Sequence, residues 1–281
     1  MDLSKLTYTK RASEQEEKSP VQSAAVKKHR SVKIDTSLIV SSAYQKIDGV
    51  LPGNLIFVLS GGSKRERDFL KILIKHKELH SLRVAFMSKK NQGFQPYQMQ
   101  SRWKEIREEG KVSIDSQLYH LYTMDKVFLL TDLDEFYDQL VKIISVKEDG
   151  DDGQWIISNP CIEIWLYYCF KNNPLIDLGC LQEIGMDKRS QKLKKLGNAV
   201  VSGGLNPIIA FEHLHEGIEH SKQHYAEDEN SIPTLFSTQM HEVAQYMVET
   251  MNTYTNEYDE YVKRKAEWRK NMKNYTKEKN D

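Results

Sequence analysis

The residues of this chain best suited to chemistry are two aspartates, Asp132 and Asp134, directly after the apolar run KVFLL (126–130). Carboxylates at i and i+2 leaving a strand can turn the same way and share a divalent cation. Hard ions such as Mg2+ bind through one or two carboxylates, with water and substrate phosphate completing the shell. An ion held so activates water and neutralises charge on a phosphoryl group in transfer. The spacing admits a second reading, acids at the start of a helix that complement its dipole. Glu163 is the next candidate. It follows QWIIS (154–158) and falls in the first turn of an apolar helix predicted to open at Pro160 and run to Phe170, with Asn159 or Ser158 as cap. A carboxylate on a helix otherwise built of Cys, Ile, Trp, Leu, Tyr and Phe is expensive unless paired, solvated in a cleft or bound to metal. A capping box reaching back to the cap is the alternative. The third feature is Gly61-Gly62, after LIFVL (55–59) and before a helix predicted to start near Lys64. Backbone N–H groups there could approach a phosphate, with Lys64, Arg65 and Arg67 beside them. Residues 64–90 hold nine Lys/Arg against three Asp/Glu, the strongest local basic patch in the chain, although an exposed amphipathic helix face carries such charges too. The glycines match neither GxxxxGK[ST] nor GxGxxG, which excludes a P-loop ATPase and a Rossmann dehydrogenase.

The elements that must position these residues alternate. LIFVL, LRVAFMS (82–88), KVFLLT (126–131) and QWIIS read as strands buried on both faces. Helical patterns lie between them: one through Phe69–Ile74, one over 98–109 with Trp103 and Ile106 at i,i+3, and one through 140–144. KEDGDDG (147–153) reads as a solvated turn. This is an α/β pattern with a largely parallel sheet flanked by helices. In such sheets ligands bind at the carboxyl ends of the strands, which is where the three candidate segments fall. Beyond residue 175 helices are predicted over 187–196, 207–225, 237–252 and 255–279, the last a charged, solvated terminal helix with Tyr258, Tyr261 and Trp268 interspersed. Four regions follow: a flexible arm over 1–45, an α/β domain over 46–175, a helical region over 176–252 packed on it, and a charged helix or tail over 253–281. The arm carries the basic cluster Lys27, Lys28, His29 and Arg30, a solvated linker or a phosphate contact.

Composition narrows the classes. Forty Lys and Arg balance forty Asp and Glu, so the formal net charge is zero. A histone-like polyanion binder is excluded, and any nucleic-acid contact must come from local patches. No run approaches the roughly 18 apolar residues of a membrane span, and the N-terminus lacks the apolar stretch of a secretory signal. Cys161, Cys169 and Cys180 form neither a disulfide framework nor a CxxC pair. A cytoplasmic protein with no membrane partner is expected. His220 and His224 have the i,i+4 spacing of helical zinc pairs, but no HExxH occurs and the surrounding segment is polar, so a solvated face is the reading. Nothing suggests a Ser or Cys nucleophile.

Together these segments resemble the RloB-like proteins. WIISNPCIEIWL (155–166) is similar to that family's SNPCFEIWLLLHF signature, KVFLLTDLDEF (126–136) to its strand ending in F-D-R-D-E, and LIFVLSGGSKRERDFL (55–70) to an apolar strand followed by EGEKTEPNYF. NSIPT (230–234) followed by MHEVAQYM (240–247) resembles its N-P-x-T and final helix. The likeness covers about residues 54–250. It implies a Toprim-like α/β fold with a C-terminal helical region, a role in prokaryotic phage defence by abortive infection, and a Mg2+- or Mn2+-dependent nuclease (a hydrolase of nucleic-acid phosphodiesters). On this resemblance Asp132 and Asp134 match the metal-binding D-x-D, Glu163 the glutamate of the NPCFE run, and Glu66 the glutamate of the K-T-E part. Two family glutamates fall at Gly61 and Ser63, which cannot replace them. Two functions therefore stand side by side. One is a nuclease acting on DNA or RNA, with Asp132, Asp134 and Glu163 on the metal, Glu66 among the catalytic acids, and Lys64, Arg65, Arg67, Gly61 and Gly62 on substrate phosphate. The other is a catalytically degenerate protein that binds nucleic acid, nucleotide or a partner as a regulatory subunit. A partner ATPase or other defence subunit, and a homo-oligomer, are compatible with either.

Overall fold

The computed structural model describes residues 54–75, 78–90, 93–146 and 153–278. The chain divides into two units, Met1–Ser42 and Ala43–Asp281, and every described residue belongs to the second. The expected arm with its basic cluster, and the turn over 147–152, lie outside the described residues.

Four strands form one parallel sheet: β1 (Asn54–Ser60), β2 (Leu82–Ser88), β5 (Lys126–Asp132) and β6 (Gly153–Ser158), in the order β2-β1-β5-β6. Their continuous apolar runs follow from burial on both faces. Alternate residues serve two cores. Ile56, Val58, Phe128 and Leu130 face one, while Leu55, Phe57, Leu59, Val127 and Leu129 face the other. The second core is closed by α3 (Pro96–Glu109), through Met99, Trp103 and Ile106. The first is closed by two short helices after β1, α1 (Arg65–Phe69) and α2 (Lys71–Lys75), and by the C-terminal helices. α4 (Tyr137–Ser145) links β5 to β6 and buries Leu140 and Ile143. The α/β, Toprim-like architecture with C-terminal helices is thus present.

Strand order places the site. The chain leaves β1 toward β2 on one side and returns to β5 on the other, so the carboxyl ends of β1 and β5 flank the point where the order reverses. Crevices form there. Register aligns those ends, with Ser60 opposite Leu130 and Asp132 opposite Ser158.

Several local expectations are corrected. Asn159–Pro160 is a cis peptide bond, and the apolar helix α5 runs only from Glu163 to Tyr168, so Pro160 is not its first residue. An antiparallel hairpin, β3 (Lys111–Ile114) and β4 (Gln117–His120), had no expectation. Its two-residue turn uses Asp115 and Ser116, both at positive φ (49° and 66°), without the Asn-Gly or Asp-Gly pair that announces such turns. After α6 (Pro174–Leu178) comes α7 (Met186–Val200), four residues longer at its end than expected. The single helix expected over 207–225 is broken into α8 (Pro207–Ala210), a 3-10 turn at Phe211–His213, and α9 (Leu214–Gln223). His220 and His224 do not face solvent freely: their ring nitrogens meet the carbonyl oxygens of Tyr168 (2.8 Å) and Asn172 (2.6 Å) beyond α5.

α10 (Met240–Asn252) lies on the first core, and the terminal helix α11 (Glu257–Glu278) follows. The expectation of a solvated α11 fails for its first turns, where Tyr258 and Tyr261 are buried. The Tyr258 hydroxyl donates to Phe211 O (3.0 Å) and accepts from Leu214 N–H (2.9 Å). Tyr258→Phe strands both buried groups and is expected to lower stability by about 1–3 kcal/mol, measured as a fall in the urea midpoint at unchanged slope. No helix among the described residues is long and apolar enough to cross a membrane.

Candidate functional site

Four acids from three segments line one cleft of ≈330 Å³ at the carboxyl ends of β1 and β5: Glu66, Asp132, Asp134 and Glu163. Each is placed for a local reason. Asp132 is the last residue of β5, and its Oδ1 accepts from Ile162 N–H at 2.8 Å, which ties the β5 end to the turn before α5. The chain then bends sharply. Leu133 N–H donates to Ser158 O (2.9 Å), Asp134 N–H reaches Pro160 O (3.3 Å), and Asp134 takes a positive φ of 33°. That left-handed residue turns the second carboxylate back beside the first. Ser190 on α7 donates to Asp134 Oδ1 and fixes it. Glu163 opens α5 with its side chain buried, and neither carboxylate oxygen has a hydrogen-bond partner. The capping-box alternative is therefore excluded. Arg65 Nε stands 3.7 Å from Glu163 Oε1 while Arg65 Nη1 donates to Leu205 O (3.1 Å), so the guanidinium forms a long ion pair with the acid but no hydrogen bond.

The electrostatics follow from four carboxylates in a poorly solvated cleft. Burial, opposed by a backbone hydrogen bond and helped by Glu163, pushes the Glu66 carboxyl up to about 7. Burial and the charges of Glu66, Glu163 and Asp134 push Asp132 well above the usual carboxylate range. Burial raises Asp134 to about 6, against the pull of Lys194. Lys194 is the residue that sequence reasoning missed. Its side chain lines the cleft, and although burial alone would lower its pKa, Glu163 and the other negative neighbours raise it. It sits one turn from Ser190 on α7, within a Lys/Arg-rich stretch whose charges gave no way to single it out.

The glycines play a different part from the one expected. Gly61 N–H continues the ladder to Leu130 O (2.8 Å), and Gly62 N–H is taken by Ser60 Oγ (3.1 Å), so neither amide is presented to a phosphate. A Cβ at Gly62 would lie 2.0 Å from Glu66 Oε1. Gly62 is thus the space into which the Glu66 carboxylate folds back. Gly62→Ala is expected to leave the melting temperature nearly unchanged, because the far end of a flexible side chain yields, and to displace the Glu66 carboxylate from this space, read by differential scanning fluorimetry and a crystal structure of the variant. Arg67 is also corrected: it turns to Asp115 (3.3 Å) and does not line the cleft, whereas Lys64 and Arg65 do.

The donor set suits a hard cation. All four groups are carboxylates, and Glu163 brings two buried oxygens that accept no hydrogen bond. Among the described residues no group of three or more His, Cys, Asp or Glu is arranged so that it could hold a metal ion as it stands. A larger cavity of ≈530 Å³, lined by Lys126, Gly153 and Trp155 at the opposite ends of β5 and β6, contains none of the four acids.

A model of the RloB-like protein family matches residues 56–247. This chain belongs to the RloB-like family. The matched span begins in β1 and ends in α10, so it takes in all four acids, Ser190 and Lys194. No curated protein and no solved structure matches it. Within the RloB-like frame, Gly61 and Ser63 stand where the resemblance placed glutamates, and Glu66 supplies the carboxylate on that side of the cleft.

Proposed function

We propose that this RloB-like protein is a Mg2+- or Mn2+-dependent nuclease that hydrolyses nucleic-acid phosphodiesters as an effector of phage defence. One observation carries the reading: four carboxylates from three segments converge on one cleft, and the most buried of them, Glu163, accepts no hydrogen bond. Burying acids that way costs stability unless a cation compensates. Asp132, Asp134 and Glu163 are the residues that would hold the ion. A divalent ion bound there supplies a more acidic water and charge neutralisation at phosphorus. Glu66, with its carboxyl pushed to about 7, is matched to accept a proton from attacking water near neutral pH. Lys194 faces the charge that develops on the phosphoryl oxygens, and Ser190 orients Asp134. Lys64 and Arg65 stand at the rim to receive phosphate.

A second reading, a degenerate protein that binds nucleic acid, nucleotide or a defence partner without cutting, is favoured by Gly61 and Ser63 and by the absence of a closed ligand cluster among the described residues. Incubating the full chain with plasmid, single-stranded DNA and tRNA separates the two. Cleavage that needs Mg2+ or Mn2+ and stops in EDTA supports the nuclease. Binding without cleavage of any of the three, at any metal tested, establishes the second reading.

A further inference from the structure

A second pocket adjoins the acid cleft. It measures ≈370 Å³, and its lining includes Lys64, Arg65, Asp68, Gly203, Gly204 and Ile208. Lys64 and Arg65 line both cavities and so form the wall between them. The two differ in charge. The first holds four carboxylates, and the second holds the single acid Asp68 against two cations. The Lys64 ammonium is exposed and has no ion pair among the described residues, while Arg65 is anchored by Leu205 O. Gly203 and Gly204 take positive φ (85° and 74°), and a Cβ at Gly203 would meet nothing within 4 Å, so part of this pocket's floor is bare, open backbone. Ile208, 45% exposed, and buried Leu205 give it an apolar side.

Each cavity lies near the lower end of the size range of small-ligand sites and takes one nucleotide-sized unit. From this pairing, and resting on the nuclease reading above, we infer that the substrate is a single-stranded polynucleotide. Its scissile phosphate enters the acid cleft, and the neighbouring nucleotide lies in the Lys64–Gly203 pocket with its phosphate on Lys64. A mononucleotide fills only one of the two. A duplex keeps its bases paired and stacked, whereas Phe94 and Phe136, partly buried aromatic residues on the lining of the acid cleft, suit contact with unpaired bases. Buried acids at the bottom of a small cleft are also reached more readily by a backbone that no second strand encumbers.

The test measures binding of the full chain in EDTA, by fluorescence anisotropy, to an octanucleotide single strand, the same sequence as duplex, and a mononucleotide. The single strand is expected to bind at least tenfold tighter than either of the others. Lys64→Ala, which removes one charged contact, and Ile208→Glu, which sets a negative charge beside the bound phosphate, both at exposed side chains, are each expected to weaken single-strand binding about tenfold. Lys64→Ala is also expected to reduce the salt slope by about one. Melting curves confirm that both variants fold. Equal binding of duplex or mononucleotide, or unchanged affinity in both variants, overturns the inference. Because the assay needs no catalysis, the two claims fail separately. Single-strand binding with the expected losses but no cleavage by Mg2+- or Mn2+-loaded protein removes the nuclease and keeps the pocket. Cleavage with unaffected variants does the reverse, and no binding to any probe removes both.

Discussion

Asp132→Asn is expected to lower metal-dependent cleavage by at least about 10³-fold and, in the same protein without metal at pH 8, to raise the melting temperature by several degrees. The two effects have one cause. Asp132 is half-buried at the end of β5, and desolvation together with Glu66, Glu163 and Asp134 opposes its ionisation. Asparagine keeps an oxygen where Oδ1 accepts the Ile162 N–H at 2.8 Å, so the turn before α5 retains its anchor. What disappears is one negative charge at the centre of the cleft. That removes a ligand for a cation and, equally, a source of repulsion in the empty acid cluster. A stability change of 1 kcal/mol moves the melting temperature of a chain this size by about 2–4 °C, so the relief is measurable by differential scanning fluorimetry. Mg2+, which should stabilise the parent by binding the folded form alone, is expected to add little to the variant. Cleavage within tenfold of the parent would remove Asp132 from the site, and a lower metal-free melting temperature would mean that its charge is compensated in a way the cleft does not display.

The two aspartates and Glu163 could be picked out because they follow apolar strands, and strand ends in a parallel sheet are where chemistry collects, whereas Glu66 stood out only through the family resemblance. Periodicity located all four strands because each is buried on both faces and reads as an unbroken run. What stayed illegible depended on contacts far apart in sequence. Lys194 and Ser190 reach the cleft from α7, 56 residues beyond Asp134 for Ser190, and nothing in a lysine-rich amphipathic helix marks one lysine as facing four acids. The use of Gly62 was misread for a related reason. A glycine pair before cations suggests anion binding, yet its amides are occupied by Leu130 and Ser60, and the missing Cβ serves Glu66. Local rules also failed where the backbone is unusual: α5 starts only at Glu163, and the Asp115-Ser116 turn, with both residues at positive φ, closes a hairpin with residues that carry no strong turn signal. The buried start of α11 was hidden by composition, since a helix rich in Lys and Glu reads as solvated even when two of its tyrosines enter the core.

The dependence of stability on pH and Mg2+ is expected to invert the usual behaviour of acidic residues. Most carboxylates in folded proteins are stabilised as anions, and acid weakens the fold. Here Glu66 and Asp134 have carboxyls raised to about 7 and about 6, each chiefly by burial, and Asp132 is raised well above its ordinary value. Between the unfolded value near 4 and these folded values, the folded chain holds more protons than the unfolded one, so stability falls as pH rises. Without metal, Glu66 and Asp134 make their most favourable contribution below about pH 4, lose it progressively as pH climbs through 6 and 7, and have lost it by pH 8, and Asp132 acts in the same direction. The metal-free melting temperature is therefore expected to increase as pH is lowered from 8 to 5.5. Mg2+ must compete with those protons for the same oxygens, so its stabilising increment is expected to be large at pH 8 and small at pH 5.5. Glu66→Gln removes the group whose carboxyl is pushed to about 7 and should flatten the metal-free profile between pH 6 and 8. Lys194, raised by the same carboxylates, stays charged over this range and does not alter the sign. Melting curves at five pH values, with EDTA and with millimolar Mg2+, decide the matter. A metal-free protein most stable at pH 8, together with a Mg2+ increment independent of pH, would show that the four carboxylates neither strain the fold nor receive the ion.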